Sequence, residues 1–131
     1  MEASQEIKRD SISPDPHGPA GFSRLAEGDF HARLAAVPGI AVVLFSAPGC
    51  GACRAWKRLL PQALADIADA FHEVDVSEAT GLARYYGIFH LPTIYLYRDG
   101  KFHAELQSET RHDCIQQSAS RLLAEPAQDE P

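Results

Sequence analysis

The stretch that decides the fold is Ile40-Ala-Val-Val-Leu-Phe-Ser-Ala-Pro-Gly-Cys-Gly-Ala-Cys53. Its first part, Ile40–Phe45, is continuously apolar and β-rich, as a central strand covered on both faces must be. It ends in two cysteines, Cys50 and Cys53, where a helix-like pattern begins. A helix N-terminus carries unpaired N–H groups and partial positive charge, which push a sulfur there toward the thiolate. The second sulfur lies close enough to attack a mixed disulfide formed by the first. The pair reads as a redox switch.

Outward from that stretch, strands and helices alternate. Phe22–Leu25 reads as a short edge strand, and Asp29–Val37 as a helix with Phe30, Leu34 and Val37 on one side. Cys50–Ala70 is the longest helix candidate, with Trp56, Leu60, Leu64 and Ile67 on one face and an expected kink at Pro61. Phe71–Val76 is the next strand and Glu78–Tyr86 the next helix, stopped by Gly87. Thr93–Tyr97 and Lys101–Leu106 flank Arg98-Asp99-Gly100, a hairpin signal, with Phe102, Ala104 and Leu106 expected on one face. Glu109–Leu123 closes the chain as an amphipathic helix capped by Ser108. The order β-α-β-α-β-α-β-β-α implies an α/β fold with a central mixed sheet flanked by helices.

The 131 residues suit one domain, expected over 21–124, between an N-terminal arm over 1–20 and a loose acidic tail over 125–131. The net charge of −6, from 18 acidic and 12 basic residues, argues against a nucleic-acid or anionic-membrane surface. No apolar run approaches a bilayer span. The N-terminus shows no apolar signal region and the cysteines number three, so a cytoplasmic location is expected.

A CxxC pair followed about 40 residues later by Gly87-Ile88-Phe89-His90-Leu91-Pro92-Thr93 before a strand resembles the thioredoxin family. Val74-Asp75-Val76 leading to Tyr85-Tyr86-Gly87 and the turn Arg98-Asp99-Gly100-Lys101 carry the same resemblance, over roughly residues 22–123. It implies the thioredoxin fold, with Cys50 as exposed nucleophile and Cys53 as the more buried resolving thiol. It implies a cis Pro92 packed against the sulfurs, with the Leu91 backbone left to pair with an extended substrate segment near Gly49. The implied activity is protein-disulfide oxidoreductase, as a monomeric reductase of disulfide-containing or thiol client proteins. Electrons would come from a thioredoxin reductase or another thiol donor, with no tightly bound cofactor and no metal.

The departures from the family pattern are specific. Gly49 stands where an aromatic is usual, and Gly51-Ala52 where Gly-Pro is usual. Leu44 occupies the position of a buried acid, and Glu73 that of its lysine partner. Glu73 could therefore supply the missing carboxylate from the neighbouring strand, the bland alternative being a solvated strand-end charge. His90, two residues before Pro92, is a second modulating candidate, since an imidazolium nearby lowers a thiol pKa. Arg54, Lys57 and Arg58 read as a solvated helix face or as a weak positive field. Trp56 reads as core, Cys114 as a small buried hydrophobe, and Phe89 as part of an apolar platform.

Two other readings of the cysteines remain. One is a thioredoxin-like binding or assembly module with little turnover, favoured by the changes at Gly49 and Leu44. The other is metal binding through Cys50, Cys53 and His90, which lacks the second CxxC or paired histidines of a zinc site.

Overall fold

The computed structural model describes residues 21–131, so the arm expected over residues 1–20 lies outside the described residues. Nine elements follow in the expected order: β1 (Phe22–Arg24), α1 (Phe30–Ala35), β2 (Ile40–Ser46), α2 (Gly51–Ala63), β3 (Ala70–Asp75), α3 (Thr80–Tyr86), β4 (Thr93–Arg98), β5 (Lys101–Glu105) and α4 (His112–Ala124). They build one five-stranded sheet in the order β1-β3-β2-β4-β5. The β1/β3 and β3/β2 pairs are parallel, whereas β2/β4 and β4/β5 are antiparallel. β2 thus sits at the centre, and Ala41–Ser46 are all buried. Its unbroken apolar run satisfies both faces at once.

Each face has its own core. Val42, Leu44, Ile94 and Leu96 pack with Trp56 and Leu60 of α2 and with Ile115 and Leu122 of α4. Val43, Phe45, Tyr95 and Tyr97 pack on the opposite side with Phe30 and Leu34 of α1 and with Leu82 and Tyr86 of α3.

Five local expectations change. The helix expected to run to Ala70 stops at Ala63, just past Pro61. Pro61 has no N–H to give to the preceding turn. The chain then turns so that Asp69 can dock on β2: its N–H reaches the Ile40 carbonyl at 2.7 Å, and its carboxylate accepts the Ile40 N–H at 2.8 Å. On β5, Leu96 pairs with Ala104 but Tyr97 pairs with Phe102, so His103 is an extra, bulged residue. One inserted residue flips the side-chain alternation. Phe102 therefore joins the aromatic face, while Ala104 and Leu106 join the other. The His103 ring meets the Leu122 carbonyl at 2.8 Å through Nε2.

The last helix begins at His112, and Ser108 does not cap it: its hydroxyl donates to the Glu109 carbonyl at 2.6 Å. Cys114 is half-buried rather than a core residue, and its sulfur accepts an N–H from Arg111 at 2.9 Å. The tail over 125–131, expected to be loose, lies along the β5 edge. The Gln128 N–H reaches the His103 carbonyl at 2.7 Å, and its side-chain oxygen accepts the Glu105 N–H at 3.1 Å. Further on, Glu130 accepts the Tyr86 hydroxyl at 2.9 Å. An edge strand leaves N–H and C=O groups unpaired, and this segment covers some of them.

Candidate active site

The parallel strands β2 and β3 end at Ser46 and Asp75, held together where the Val76 N–H meets the Ser46 carbonyl at 2.9 Å. From there Ala47-Pro48-Gly49 carries the chain to α2. Gly49 adopts φ +81°, in the left-handed region where a side chain is strained. No atom lies within 4 Å of where a Cβ would stand. A side chain added here would meet backbone strain, not crowding.

Cys50 is the N-cap of α2, with extended backbone, and its sulfur accepts the Cys53 N–H at 3.2 Å. That is the capping geometry usually supplied by a side-chain oxygen. The same N–H and the helix dipole favour negative charge on Cys50 once it is reduced. Cys50 and Cys53 are joined as a disulfide, with Cα atoms 5.3 Å apart. Cys50 is half-buried, whereas Cys53 is buried at 4% exposure. An incoming group therefore meets Cys50 first.

At the same end of the sheet, where Thr93 pairs with Phe45, the Leu91–Pro92 bond is cis. The Thr93 hydroxyl donates to the His90 carbonyl at 2.7 Å and closes that turn. It is the His90 backbone that is engaged; its ring is exposed, and no hydrogen bond among the described residues joins it to a sulfur. Trp56 is buried in the α2/α4 core, as expected, and one edge borders Pro92 in a small groove of about 190 Å³.

Glu73 is neither solvated nor free. It lies opposite Leu44 in the β2/β3 register, and both face α2. Its carboxylate accepts the Ser46 hydroxyl at 2.7 Å and the Lys57 ammonium at 2.9 Å, with Arg24 at 3.9 Å. Burial pushes its pKa up, but the hydrogen bonds from Lys57 and Ser46 and the charges of Lys57 and Arg24 outweigh that and hold it below its ordinary value. Asp75 is likewise held low, chiefly by the Ser77 hydroxyl that donates to it at 2.6 Å.

The role of Lys57 was not legible as a helix-face charge. It stands four residues after Cys53, one turn deeper in α2, so its position relative to that cysteine was available from helical spacing. Its partner was not, because Glu73 comes from another strand. Arg54 and Arg58 are the exposed cations of this helix, with the Arg54 guanidinium lying beside Gly51. Among the described residues no cluster of three histidine, cysteine or carboxylate side chains is placed to hold a metal.

The family model for thioredoxin matches residues 22–121 of the chain. The chain belongs to the thioredoxin family. Among its thioredoxin-family relatives, protein disulfide-isomerase A3 of Gallus gallus is 33% identical over 89 residues, which is 64% of this chain and 17% of that protein. Chloroplastic thioredoxin M4 of Arabidopsis thaliana is 27% identical over 86 residues, or 64% of this chain and 45% of that protein. The chain thus spans less than half the length of either relative. Among solved structures, the zinc-bound form of human ERp44 matches with TM-score 0.64 at 19% identity, covering 76% of this chain and 31% of that one. That likeness concerns the fold. The thioredoxin-family reading gives Cys50/Cys53 the character of a redox-active pair.

Proposed function

We propose that the chain is a thiol–disulfide oxidoreductase that reduces protein disulfides through Cys50 and Cys53. The observation that carries this reading is the asymmetry of the pair: Cys50 half-buried at the start of α2, Cys53 buried behind it. In the reduced protein, the Cys50 thiolate attacks one sulfur of a client disulfide. A Cys50–client bond forms, the client S–S bond breaks, and one client thiolate leaves. Cys53 then loses its proton and attacks the Cys50 sulfur. The Cys50–Cys53 disulfide forms, the second client thiolate leaves, and two electrons have passed to the client. A thioredoxin reductase or another dithiol returns the pair to its reduced state. The client segment lies across Leu91–Pro92 beside Gly49, and a cytoplasmic setting suits the reducing direction.

Insulin reduction with dithiothreitol, run beside a Cys50→Ser/Cys53→Ser double variant, tests the activity. Turnover above the double variant is expected, and turnover no better than it would overturn the reading. The potential of the pair measured against glutathione then fixes the direction, since about 30 mV shifts the balance tenfold.

A second reading, a client-holding module with little turnover, has one specific observation in its favour. The family's buried acid is replaced by Leu44, which is fully buried, and the nearest candidate substitute, Glu73, is committed to Lys57 and Ser46. On this reading the double variant still binds reduced, unfolded clients as well as the parent chain does.

A further inference from the structure

Phe89 is the most exposed large hydrophobic residue described, at 94% exposure. Its place is set by its neighbours. Gly87 closes α3 at φ +64°, and the Gly87 and Ile88 N–H groups return to the Arg84 and Ala83 carbonyls at 3.1 and 2.9 Å. Ile88 packs against the aromatic core, so the next side chain must point outward. The Phe89 ring rests against Gly87, 3.7 Å from where a Cβ would stand. It forms one wall of a groove of about 440 Å³, together with Val76, Arg84, Ile88 and Leu91. Leu91 precedes the cis proline, and Val76 is bonded to the end of β2. The groove therefore opens at the same end of the sheet as the cysteines.

Exposed cations stand near this end although the whole chain carries a net charge of −6. Of the carboxylates nearby, Glu73 is held by Lys57 and Ser46, Asp75 by Ser77, and Glu78 by the exposed Arg24 at 3.4 Å, while Glu105 and the terminal Pro131 line a second groove that shares Phe89. Arg84 lines the groove and has no ion-pair partner among the described residues. Arg54 and Arg58 are exposed on α2, following the second cysteine. An apolar wall beside an unpaired guanidinium fits a segment with an apolar and an acidic side chain.

We propose that Phe89 and Arg84 determine client choice: the groove takes an extended client segment that carries an acidic and an apolar residue beside the attacked cysteine. This rests on the disulfide-exchange reading above. Covering Phe89 removes apolar surface from water, and Arg84 pairs with the acid in a partly enclosed setting.

The test uses two peptides that share a central cysteine flanked by leucine and differ only in carrying glutamate or lysine two residues to either side. Equilibrium binding is measured to the full chain with Cys50→Ser and Cys53→Ser, so that no exchange is needed. Exchange rates are measured separately on the parent chain with the same peptides as mixed disulfides. The glutamate peptide is expected to bind about fivefold more tightly than the lysine peptide, with the ratio shrinking as salt rises. Arg84→Ala is expected to bring that ratio close to one. Phe89→Ala is expected to weaken both peptides about fivefold to tenfold while leaving the ratio in place. Equal binding of the two peptides, or a ratio untouched by Arg84→Ala, overturns the proposal. Absence of exchange with a preserved ratio would instead sink the oxidoreductase reading and leave the groove's specificity standing.

Discussion

On the α2/α4 face the sheet meets mostly aliphatic side chains, Leu44, Leu60, Ile115 and Leu122, whereas on the α1/α3 face it meets rings. Phe30 alone lies 5.9–6.2 Å from the ring centres of Phe45, Tyr86 and Tyr97. The tyrosines on that side are also tied by hydrogen bonds, Tyr97 to Tyr86 at 3.0 Å and Tyr86 to Glu130. The aliphatic face holds the buried sulfur and, one turn along α2, the ion pair of Lys57 and Glu73. The aromatic face backs the groove that ends in Phe89. The difference divides the polar features of the molecule. One face carries the buried sulfur and the Lys57–Glu73 ion pair, and the other backs the groove to which a client segment is assigned above.

Removing the ring at the centre of the aromatic face has the largest expected effect. Phe30→Ala should lower stability by about 3–5 kcal/mol in chemical denaturation, because the cavity borders several rings that cannot all collapse into it. Glu73→Gln probes the other face and should cost about 2–3 kcal/mol, since Lys57 loses its charged partner in a half-buried site. The pH dependence sharpens this. A carboxylate held below its ordinary 4.5 adds stability above that value and loses it as pH falls through the lowered one. The parent chain should therefore lose stability on acidification below about pH 4.5, and the glutamine variant should lose less.

His72 offers a smaller effect on the aromatic side of β3. It is buried, and neither ring nitrogen has a hydrogen-bond partner among the described residues. Burial first, and the charge of Arg33 second, lower its pKa below the ordinary 6.5 and outweigh the opposing pull of the Ser23 backbone, which lies near the ring without forming a well-aligned hydrogen bond. The folded chain thus favours the neutral ring, and stability is lost as pH drops below about 6.5. His72→Leu should be more stable than the parent by about 1–2 kcal/mol at pH 5.5 and should flatten that slope in thermal melts. Smallest is Gly49→Ala, expected to cost about 1 kcal/mol of stability through its left-handed backbone, as read in chemical denaturation.

The elements and their order were legible because their signals are local: the run Ile40–Phe45, the cysteine pair at a helix start, and the Arg98-Asp99-Gly100 turn. What was not legible depends on register between distant segments. The bulge at His103 inverts the side of Phe102, and nothing in the alternation of Lys101–Leu106 announces an extra residue. The docking of Gln128 and Glu130 rests on hydrogen bonds to β5 and α3 that an acidic tail does not advertise. Glu73 was visible as a departure from a pattern. Its commitment to Lys57 appears only when β3 is laid beside α2.

The central claim is that Cys50 attacks and Cys53 resolves. Trapping of the mixed disulfide tests it most directly, with an oxidised client mixed with reduced Cys53→Ser in one arm and reduced Cys50→Ser in the other, and adducts resolved by mass. Cys53→Ser should accumulate a stable client adduct through Cys50, because the resolving thiol is gone, and Cys50→Ser should form none. Equal adducts in both arms, or an adduct through Cys53 alone, would contradict it.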